Sequence, residues 1–590
     1  MIPVALHDLL AAIALAADPD GTTPFEPVAP TSNAAHGDYQ WNFAFRLAKA
    51  QRRSPRAVAE ALVGQIVHPL VRKAEIAGPG FINLTLDDVE LARLLASQAA
   101  DPALGLPQIG AGQTVVIDYS SPNVAKRMHI GHMRSTHIGN ALYRLHKAAG
   151  YTTIGDNHIG DWGTQFGKLI YAWNHWRDNA AYLADPIGEL ERIYVKFGEE
   201  TRRPDPEQGE PPDSPEVAAH KLALSAEARA ETLKLQKGDA ENLALWRQFM
   251  DVSMAEFNAV YSRMNVQFDV TMGESAYKDM TDDVVARLKH DGIAEQSEGA
   301  WIVRFEEPSL KNSPVIVQKR DGASNYTTTD IAAMQYRIEH WNPSRIVIVT
   351  DGRQQLVFNQ LFAIARRQGV TVDLVHAWFG TLVLPEGAMS TRKGNIIRLV
   401  DLFDEAVARA RLKVEELEAQ RAERGQEAFL TDAQKDDIAD AVGMGAVRYA
   451  DLSQHPQTDV TFSWDRMLAL EGNTAPYLLY SYARLVTLLA RAEEPADPAA
   501  VRLVDPLERE LALSVLRTPE AALAALRSAR PNLLADHLYD LSGRINRVHH
   551  DLPVLKGGEF RGSRLALLDA ARRALRTGLE WLGLRVIDRM

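Results

Sequence analysis

Apolar residues recur at helical spacing through much of residues 1–110, and one short stretch alternates instead. The helical spacing runs from Phe43 to Leu62, and Ser54-Pro55 is a typical helix start within it. The turn Gly78-Pro79-Gly80 precedes Phe81 to Leu86, where the alternation is that of a strand. Residues 1–110 are therefore predicted to form a small α/β domain that ends in a linker rich in glycine and proline.

The pattern changes after residue 110. A β-branched run from Thr114 to Ser120 is followed by a loop with a proline, a helix from about Gly131 to Ala149, and a second strand at Thr152 to Asp156. This strand–loop–helix–strand order predicts a doubly wound parallel sheet of the Rossmann type, which binds nucleotides at the carboxyl ends of its strands.

Three later strands are expected to complete this sheet. They lie at 300–305, 315–319 and 345–349, and helical segments alternate with them. The predicted α/β domain covers 111–400, with a mostly helical insertion at about 174–266.

The remainder of the chain has helical spacing only. A helical linker is predicted at 401–440 and an all-α bundle at 441–590. The predicted fold class is thus a multidomain α/β protein with a parallel-sheet core domain and a helical C-terminal bundle.

Composition narrows the class of protein. The chain has 590 residues, of which 46% are hydrophobic and 24% charged, as is ordinary for a soluble globular protein. No stretch is long and apolar enough to predict a transmembrane helix, and the first residues lack the basic segment of a signal peptide. The count of cysteines is 0, which excludes disulfides, thiolate zinc sites and cysteine nucleophiles and fits a cytoplasmic protein.

Charge is unevenly distributed. The net charge of −12 argues against nonspecific binding of nucleic acid. Residues 41–80 nevertheless hold seven Lys/Arg against two acids, and residues 561–590 hold seven Arg against three acids. Two solvated helix faces are the simpler interpretation, and contacts to nucleic-acid phosphates are the alternative.

The most informative short motif is His129-Ile130-Gly131-His132, at the predicted start of the helix that follows the first strand. Helix N-termini favour phosphate, residues i and i+3 share a helix face, and a glycine lets a flat group approach the backbone. Taken alone, the motif is more often a pair of surface histidines, and a zinc site lacks a third ligand nearby in sequence.

The flanking residues decide between these interpretations. Ser120 to Thr136 resembles the HIGH signature of class I aminoacyl-tRNA synthetases, in the version found in arginyl-tRNA synthetases, and Asn157 to Gly167 resembles a second block of that family. The resemblance implies that His129, Gly131 and His132 bind ATP and that the two histidines take part in catalysis.

A second family signature is expected after the sheet. Residues 387–395 resemble the mobile KMSKS loop, but Ala388 stands where its first lysine belongs. The resemblance implies that Met389, Ser390 and Arg392 bind ATP. In arginyl enzymes a lysine just before HIGH is thought to compensate, and Lys126 has that place; we therefore expect Lys126 and Lys393 to share the catalytic phosphate contacts.

The resemblance also implies which residues bind arginine. Tyr326 and Asp330 match a Tyr-x-x-x-Asp block, and their i, i+4 spacing on a helix makes a shared contact possible. Carboxylates suit a planar guanidinium, and Glu274 matches the second one. The other matching positions are Asp118, Asn123 and Gln354, although Val357 replaces the histidine that follows the glutamine in the family.

The ends of the chain resemble the parts of the family that bind tRNA. Ala77 to Asn83 matches the signature of the additional N-terminal domain, in which Phe81 and Asn83 would meet a D-loop nucleotide. Residues 471–480 resemble the opening of the anticodon-binding domain. Tyr477 and the terminal Met590 are the tRNA contacts expected there, and in this setting the two basic stretches suit phosphate contacts.

As a whole, the resemblance implies a ligase that forms arginyl-adenylate from L-arginine and ATP and transfers the arginyl group to tRNA(Arg). We expect Mg²⁺ with the nucleotide, no metal held by the protein, a monomer, and activation only after tRNA has bound. A glutamyl-type synthetase would need a cationic substrate pocket, whereas the candidates here are acidic. An inactive tRNA-binding relative would be expected to lack His129, His132 or Asp330, and all three are present.

Overall fold

The computed structural model describes residues 1–31, 33–205, 210–383, 397–423 and 430–590. The chain divides into two compact units. The flanking unit comprises Met1–Gln108, Arg411–Ser453 and Arg466–Met590, and the central unit comprises Ile109–Ala410 and Gln454–Asp465. Among the described residues, no helix has both the length and the apolar character needed to cross a membrane.

The N-terminal segment of the flanking unit contains a four-stranded antiparallel sheet in the order β1-β2-β4-β3. Ile82, Leu84 and Leu86 of the last strand are fully buried on one face, as the alternation predicts. The elements are α1 (Ile2–Ala17), β1 (Ala29–Pro30), β2 (Tyr39–Trp41), α2 (Phe43–Gln51), α3 (Pro55–Val63), β3 (Val71–Ala77), β4 (Phe81–Leu86) and α4 (Asp88–Ala100).

The central unit contains the parallel sheet that carries the candidate site. Its helices are α5 (Ile130–Ala148), α6 (Thr164–Trp176), α7 (Asn179–Ala184), α8 (Pro186–Thr201), α9 (Pro215–Gln236), α10 (Ala240–Arg263), α11 (Thr281–His290), α12 (Tyr326–Trp341) and α13 (Gln355–Arg367). Its strands are β5 (Thr114–Asp118), β6 (Thr152–Asn157), β7 (Val270–Thr271), β8 (Glu295–Ser297), β9 (Ala300–Val303), β10 (Val315–Gln318), β11 (Arg345–Ile348), β12 (Asp373–His376), β13 (Leu382–Val383) and β14 (Val460–Thr461).

The parallel sheet has the order β12-β11-β5-β6-β7. Since β5 lies between β6 and β11, the chain reverses its direction of winding at β5, and the crevice at the carboxyl end of this strand is where such sheets bind ligands. The predicted doubly wound sheet is confirmed.

Two of the strands predicted for this sheet belong elsewhere. β9 and β10 pair antiparallel in a separate sheet of order β10-β9-β8. The tight turn at Glu298 and Gly299, both with positive φ, joins β8 directly to β9 and permits only antiparallel pairing, because parallel neighbours need a long crossover.

The C-terminal part is helical, as predicted, apart from the short strand β14. Helix α17 begins after Thr474, whose hydroxyl accepts a hydrogen bond from the Tyr477 N–H, and Pro476 lies in its first turn, where a missing N–H costs little. The helices are α14 (Leu399–Glu423), α15 (Asp432–Leu452), α16 (Trp464–Met467), α17 (Ala475–Ala490), α18 (Pro506–Ser528), α19 (Asn532–Asp551) and α20 (Arg561–Trp581).

Candidate active site

The histidine pair marks the start of α5, at the carboxyl end of β5. His129 Nδ1 accepts a hydrogen bond from the Gly131 N–H (3.1 Å), and His132 Nδ1 accepts one from the His129 N–H (3.2 Å). The two rings lie 4.1 Å apart between centroids. Because each Nδ1 is an acceptor, the proton of each neutral ring is on Nε2, which leaves two N–H donors for a ligand.

Burial and nearby charge keep these histidines neutral. The pKa of His132 is lowered to about 3, mainly by burial and in smaller part by the charges of His129 and Lys126. Burial, followed by Lys126, also lowers the pKa of His129. The pair therefore donates hydrogen bonds without adding positive charge at neutral pH.

Gly131 is required by the position of its neighbour. A Cβ atom added to Gly131 would lie 2.8 Å from His129 Cε1, which is too close. A side chain at position 131 would therefore collide with the His129 imidazole where it now stands. This is a second reason for the glycine, besides the close approach of a ligand that the sequence suggests.

The loop between β5 and α5 is fixed in an uncommon conformation. Ser120, Ser121 and Ala125 have φ values of 73°, 51° and 62°. Such residues store about 1–3 kcal/mol each and persist only where their surroundings hold them. Two side chains of α10 provide that support: Tyr261 hydrogen-bonds Ser120 Oγ (2.8 Å), and Ser253 Oγ accepts from the Ala125 N–H (2.9 Å).

The chain returns to this loop at residue 397. The Ile130 N–H donates to the Ile397 carbonyl (3.1 Å), and the Leu399 N–H donates to the Met128 carbonyl (3.0 Å). The predicted site residues Ala388, Met389, Ser390, Arg392 and Lys393 lie outside the described residues, but the segment that follows them pairs with the histidine motif.

Lys126 packs beside helix α8. Its Nζ lies 4.5 Å from the centroid of the Tyr194 ring. Burial is the main cause that lowers the pKa of Lys126, and Lys168 adds to it, while the charge of Glu191 acts in the opposite direction. Lys126 is also close enough to the histidine pair to affect the pKa of both rings.

Near the carboxyl ends of β5 and β6, carboxylates surround the buried Arg337, and we call this cluster the carboxylate pocket. Arg337 of α12 is 3% exposed, and its Nη2 lies 2.8 Å from Asp118 Oδ2 and 2.8 Å from Asp156 Oδ2. The guanidinium Nε also donates to Asp156 Oδ2 (2.9 Å). The two aspartates stand opposite each other on β5 and β6, so a single guanidinium pairs with both, while burial still raises the pKa of Asp156 to about 6.

Two further carboxyls remain without such a partner. Burial, followed by the charge of Asp118, raises the pKa of Asp330 to about 7. Burial raises the pKa of Glu274 to about 7 as well, with contributions from Asp330 and Asp161. Asp118, Asp330 and Glu274, which were predicted from distant parts of the sequence, thus belong to one electrostatically coupled pocket.

The other predicted arginine-binding residues are exposed to solvent. Tyr326 begins α12 and is 67% exposed, one helical turn before Asp330. Asn123 is exposed in the loop after β5, where it pairs with Gly160, and Gln354 is exposed just after β11.

Three residues of the pocket were not predicted. Arg337 follows Asp330 by seven residues, two helical turns on the same face, and that spacing was the available signal. Asp156 was predicted only as the end of a strand. Asp161 accepts hydrogen bonds from the N–H (2.8 Å) and hydroxyl (2.5 Å) of Ser275, which fixes the turn that carries Glu274.

In the flanking unit, Phe81 and Asn83 lie on the face of the sheet opposite its apolar core. Phe81 is partly buried against Phe45, with ring centroids 4.7 Å apart. Asn83 is 3% exposed, and its Oδ1 accepts a hydrogen bond from Gln40 Nε2 (2.9 Å). Phe81 therefore offers part of a ring face, while Asn83 is held by a cross-strand neighbour.

In the helical bundle, the Tyr477 hydroxyl accepts a hydrogen bond from Asn546 Nδ2 (2.9 Å), and the Met590 carbonyl accepts one from Arg421 (3.3 Å). Six of the seven arginines in 561–590 form ion pairs with carboxylates. The local excess of arginine is therefore not a cluster of unpaired cations.

Comparison with known proteins agrees with this geometry. A family profile described as class I tRNA synthetases (R), catalytic domain, matches residues 94–464. Profiles for the arginyl-tRNA synthetase N-terminal domain and the DALR anticodon-binding domain match residues 4–86 and 478–590.

Full-length relatives carry the same assignment. The chain is 40% identical over 565 residues to an arginine–tRNA ligase of Fusobacterium nucleatum, covering 95% of this chain and 94% of the relative. It is 38% identical to one of Chromobacterium violaceum over 99% of this chain and 100% of the relative.

Solved structures share the fold. The arginyl-tRNA synthetase of Plasmodium falciparum superposes with a TM-score of 0.80 at 24% identity, and the match covers 100% of this chain and 99% of that one. That of Thermus thermophilus gives a TM-score of 0.79 at 24% identity, with 100% of both chains covered. The sequence relatives and the match of the catalytic profile show that the chain belongs to the arginyl-tRNA synthetases of class I.

Proposed function

We propose that the chain activates L-arginine with ATP to arginyl-adenylate and transfers the arginyl group to the 3′-terminal adenosine of tRNA(Arg). The observation that carries this proposal is the carboxylate pocket. Its buried Arg337 already pairs with Asp118 and Asp156, and Asp330 and Glu274 are left to receive a second guanidinium.

On the arginine side, Asp330 and Glu274 accept the guanidinium of the substrate. Both carboxyls have a raised pKa because of burial and, second, of neighbouring carboxylates, which are Asp118 for Asp330, and Asp330 and Asp161 for Glu274; a bound cation offsets this repulsion. Asp118 and Asn123 hold the α-ammonium end of the substrate. Tyr326 and Gln354 border the pocket.

On the ATP side, the Nε2–H groups of His129 and His132 donate to the nucleotide near the N-terminus of α5, where Gly131 leaves the backbone accessible. As the arginine carboxylate attacks the α-phosphate, the pyrophosphate leaves with increased charge, and Lys126 and Lys393 stabilise it. Met389, Ser390 and Arg392 contribute to nucleotide binding from the second signature.

Mg²⁺ enters this proposal with the ATP phosphates. Among the described residues no three His, Asp or Glu side chains converge as metal ligands, and the paired aspartates of the sheet already hold Arg337. The donor set therefore fits no protein-held ion, and no step is assigned to one.

On the tRNA side, Phe81 and Asn83 contact a D-loop nucleotide, and Tyr477 and Met590 contribute to anticodon binding. The corresponding domains are 1–110, 111–400 with an insertion at about 174–266, 401–440 and 441–590. A monomeric state and a cytoplasmic location complete the proposal, both carried by the family resemblance.

The decisive experiment is aminoacylation of purified tRNA with arginine or lysine as the amino acid. Arginine is expected to be esterified and lysine to be rejected, because a single ammonium cannot replace a bidentate guanidinium between two carboxylates. Asp330→Asn serves as the matched loss-of-function variant. Esterification of lysine at a comparable rate, or of neither amino acid, would refute the proposal.

A further inference from the structure

Within the flanking unit, one arginine of helix α18 joins the N-terminal segment to the helical bundle. Arg509 donates from Nη1 and Nη2 to the two carboxylate oxygens of Asp38 (2.7 Å each). Its Nε donates to Asp88 Oδ1 (2.5 Å), and Nη2 also donates to the Leu86 carbonyl (3.1 Å). Both edges of the guanidinium thus hold groups that lie more than 400 residues away in sequence.

The same face of α18 makes two further polar contacts with the N-terminal segment. Arg517 donates to the Asp38 carbonyl (2.6 Å), and Glu520 accepts from the Tyr39 hydroxyl (2.8 Å). Gln98 of α4 donates from Nε2 to the Val515 carbonyl (2.8 Å). Asp38 and Gln98 are buried. We call these contacts the α18 junction.

The geometry of the junction resists rotation as well as separation. A fork of two parallel hydrogen bonds fixes the plane of the Asp38 carboxylate relative to Arg509, which a single contact would not do. Because Arg509, Arg517 and Glu520 lie along one stripe of a helix, the contacts to the segment before and within β2 are spread over three helical turns. The two segments therefore move as one body while the junction is closed.

The position of the junction relates it to tRNA. Asp38 lies just before β2, whose Gln40 pairs with Asn83 beside Phe81, and α18 packs against α19, whose Asn546 holds Tyr477. The residues assigned to tRNA binding thus lie on both sides of the junction: Phe81 and Asn83 belong to the N-terminal segment, and Tyr477 belongs to the helical bundle.

We propose that the α18 junction, with Arg509 as its positioning residue, holds the D-loop contact and the anticodon contact at a fixed separation so that one tRNA meets both together. The inference rests on the proposed tRNA-binding roles of Phe81 and Tyr477. Two contacts on a rigid body strengthen each other because the second binding event is intramolecular, and loosening their connection lowers the effective concentration of the second contact.

The test replaces Arg509 by lysine, which keeps the charge but cannot form the fork. Arg509→Lys is expected to raise the KM for tRNA about tenfold while leaving kcat at saturating tRNA and the KM for ATP unchanged. Arg93→Lys is the matched control, since its ion pair with Glu90 lies within helix α4 and outside both basic stretches; its KM for tRNA should equal that of the unmodified chain.

A double-mutant cycle separates positioning from a general loss of stability. Phe81→Ala should raise the KM for tRNA strongly in the unmodified chain, but by no more than about twofold in the Arg509→Lys background, where the D-loop contact is no longer pre-positioned. In the Arg93→Lys background Phe81→Ala should retain its full effect.

The outcomes are distinguishable. An unchanged KM for tRNA in folded Arg509→Lys overturns the inference, as does a full effect of Phe81→Ala in both backgrounds. If Phe81→Ala alone has no effect on the KM for tRNA, the proposed role of Phe81 is wrong and the inference that rests on it is overturned as well, whereas aminoacylation with arginine remains as proposed. If Arg509→Lys does not fold, Gln98→Ala, which removes another bond of the same junction, takes its place in every comparison.

Discussion

At the scale of single residues, the carboxyls of the pocket differ in whether a guanidinium pairs with them. Arg337 pairs with Asp118 and Asp156, although burial still raises the pKa of Asp156 to about 6. The pKa of Asp330 and of Glu274 is raised to about 7, and neither side chain forms an ion pair within the part of the chain that the structure describes. A buried carboxylate without a partner is costly, so a cationic ligand is favoured at those two positions. The same arrangement disfavours an anionic substrate such as glutamate.

The first prediction concerns the pH dependence of arginine use. Asp330 and Glu274 must be ionised to accept a guanidinium, and both have a pKa of about 7. The value of kcat/KM for arginine is therefore expected to rise as pH increases from 6 to 8, whereas the KM for ATP should stay flat because the histidine pair is neutral throughout. A flat profile for arginine would contradict the assignment.

The same carboxyls affect stability with a defined sign. Their pKa is higher in the folded state than in the unfolded chain, so the stabilisation is complete at low pH and is lost as pH rises through about 7. Bound arginine offsets this loss. The increase in melting temperature on adding arginine should therefore be larger at pH 8 than at pH 6, and Asp330→Asn should reduce that difference.

The second prediction concerns Lys126. Lys126→Ala is expected to lower the rate of adenylate formation by about two orders of magnitude, because a preorganised donor to the leaving group is removed. Lys196→Ala is the matched control, since its Nζ packs over Trp176 at 4.8 Å in a similar cation–π contact outside the site. Normal activation by Lys126→Ala, measured as tRNA-supported ATP–pyrophosphate exchange, would show that it does not compensate for Ala388.

At the scale of elements, the N-terminus of α5 combines a helix cap with a binding site. His129 caps the helix through its own Nδ1, and His132 completes the reciprocal contact. Capping thereby fixes the tautomer and the orientation of both rings at once. The histidines are consequently part of the local folding of α5 as well as of its chemistry.

The third prediction uses this dependence. Gly131→Ala is expected to displace the His129 ring and lower activation by about a hundredfold, as small misplacements at reacting centres do. The stability of the helix should change little, since the lost His129 cap and the better helix propensity of alanine over glycine are each worth about 1 kcal/mol and offset each other. Gly543→Ala in α19 is the control: its Cβ meets nothing within 4 Å, so stability should rise slightly with unchanged activity.

Sequence patterns predicted this element well and others less well. The strand–loop–helix order of β5 and α5 is local, so periodicity and motif spacing were sufficient. The assignment of β9 and β10 to the parallel sheet was wrong, because short apolar runs do not reveal whether a strand pairs parallel or antiparallel with its neighbour. Arg337 was missed since an arginine in a helix is usually exposed, and its burial depends on aspartates from two strands far away in sequence.

At the scale of the whole molecule, chemistry and tRNA binding are assigned to different units. The residues of the histidine site and the carboxylate pocket belong to the central unit, whereas Phe81, Asn83, Tyr477 and Met590 belong to the flanking unit. Binding of tRNA and activation of arginine are therefore separable functions, and any dependence of one on the other is a coupling between sites.

The fourth prediction measures that coupling. ATP–pyrophosphate exchange is expected to be negligible with arginine and ATP alone and to appear when tRNA(Arg) is added. Periodate-oxidised tRNA(Arg), which cannot accept the amino acid, should support exchange as well, since the effect belongs to binding rather than to transfer. Exchange at full rate without tRNA would contradict the expectation.

The buried Arg337 has a consequence for how the protein is made. The side chain that balances the pocket is the same amino acid that the pocket selects, so every new copy depends on tRNA that earlier copies have charged correctly. An error in arginine selection places the wrong residue at position 337 of some newly synthesised chains. Those chains lack the guanidinium that pairs with both Asp118 and Asp156, so an error in arginine selection lowers the accuracy of the enzyme molecules made next.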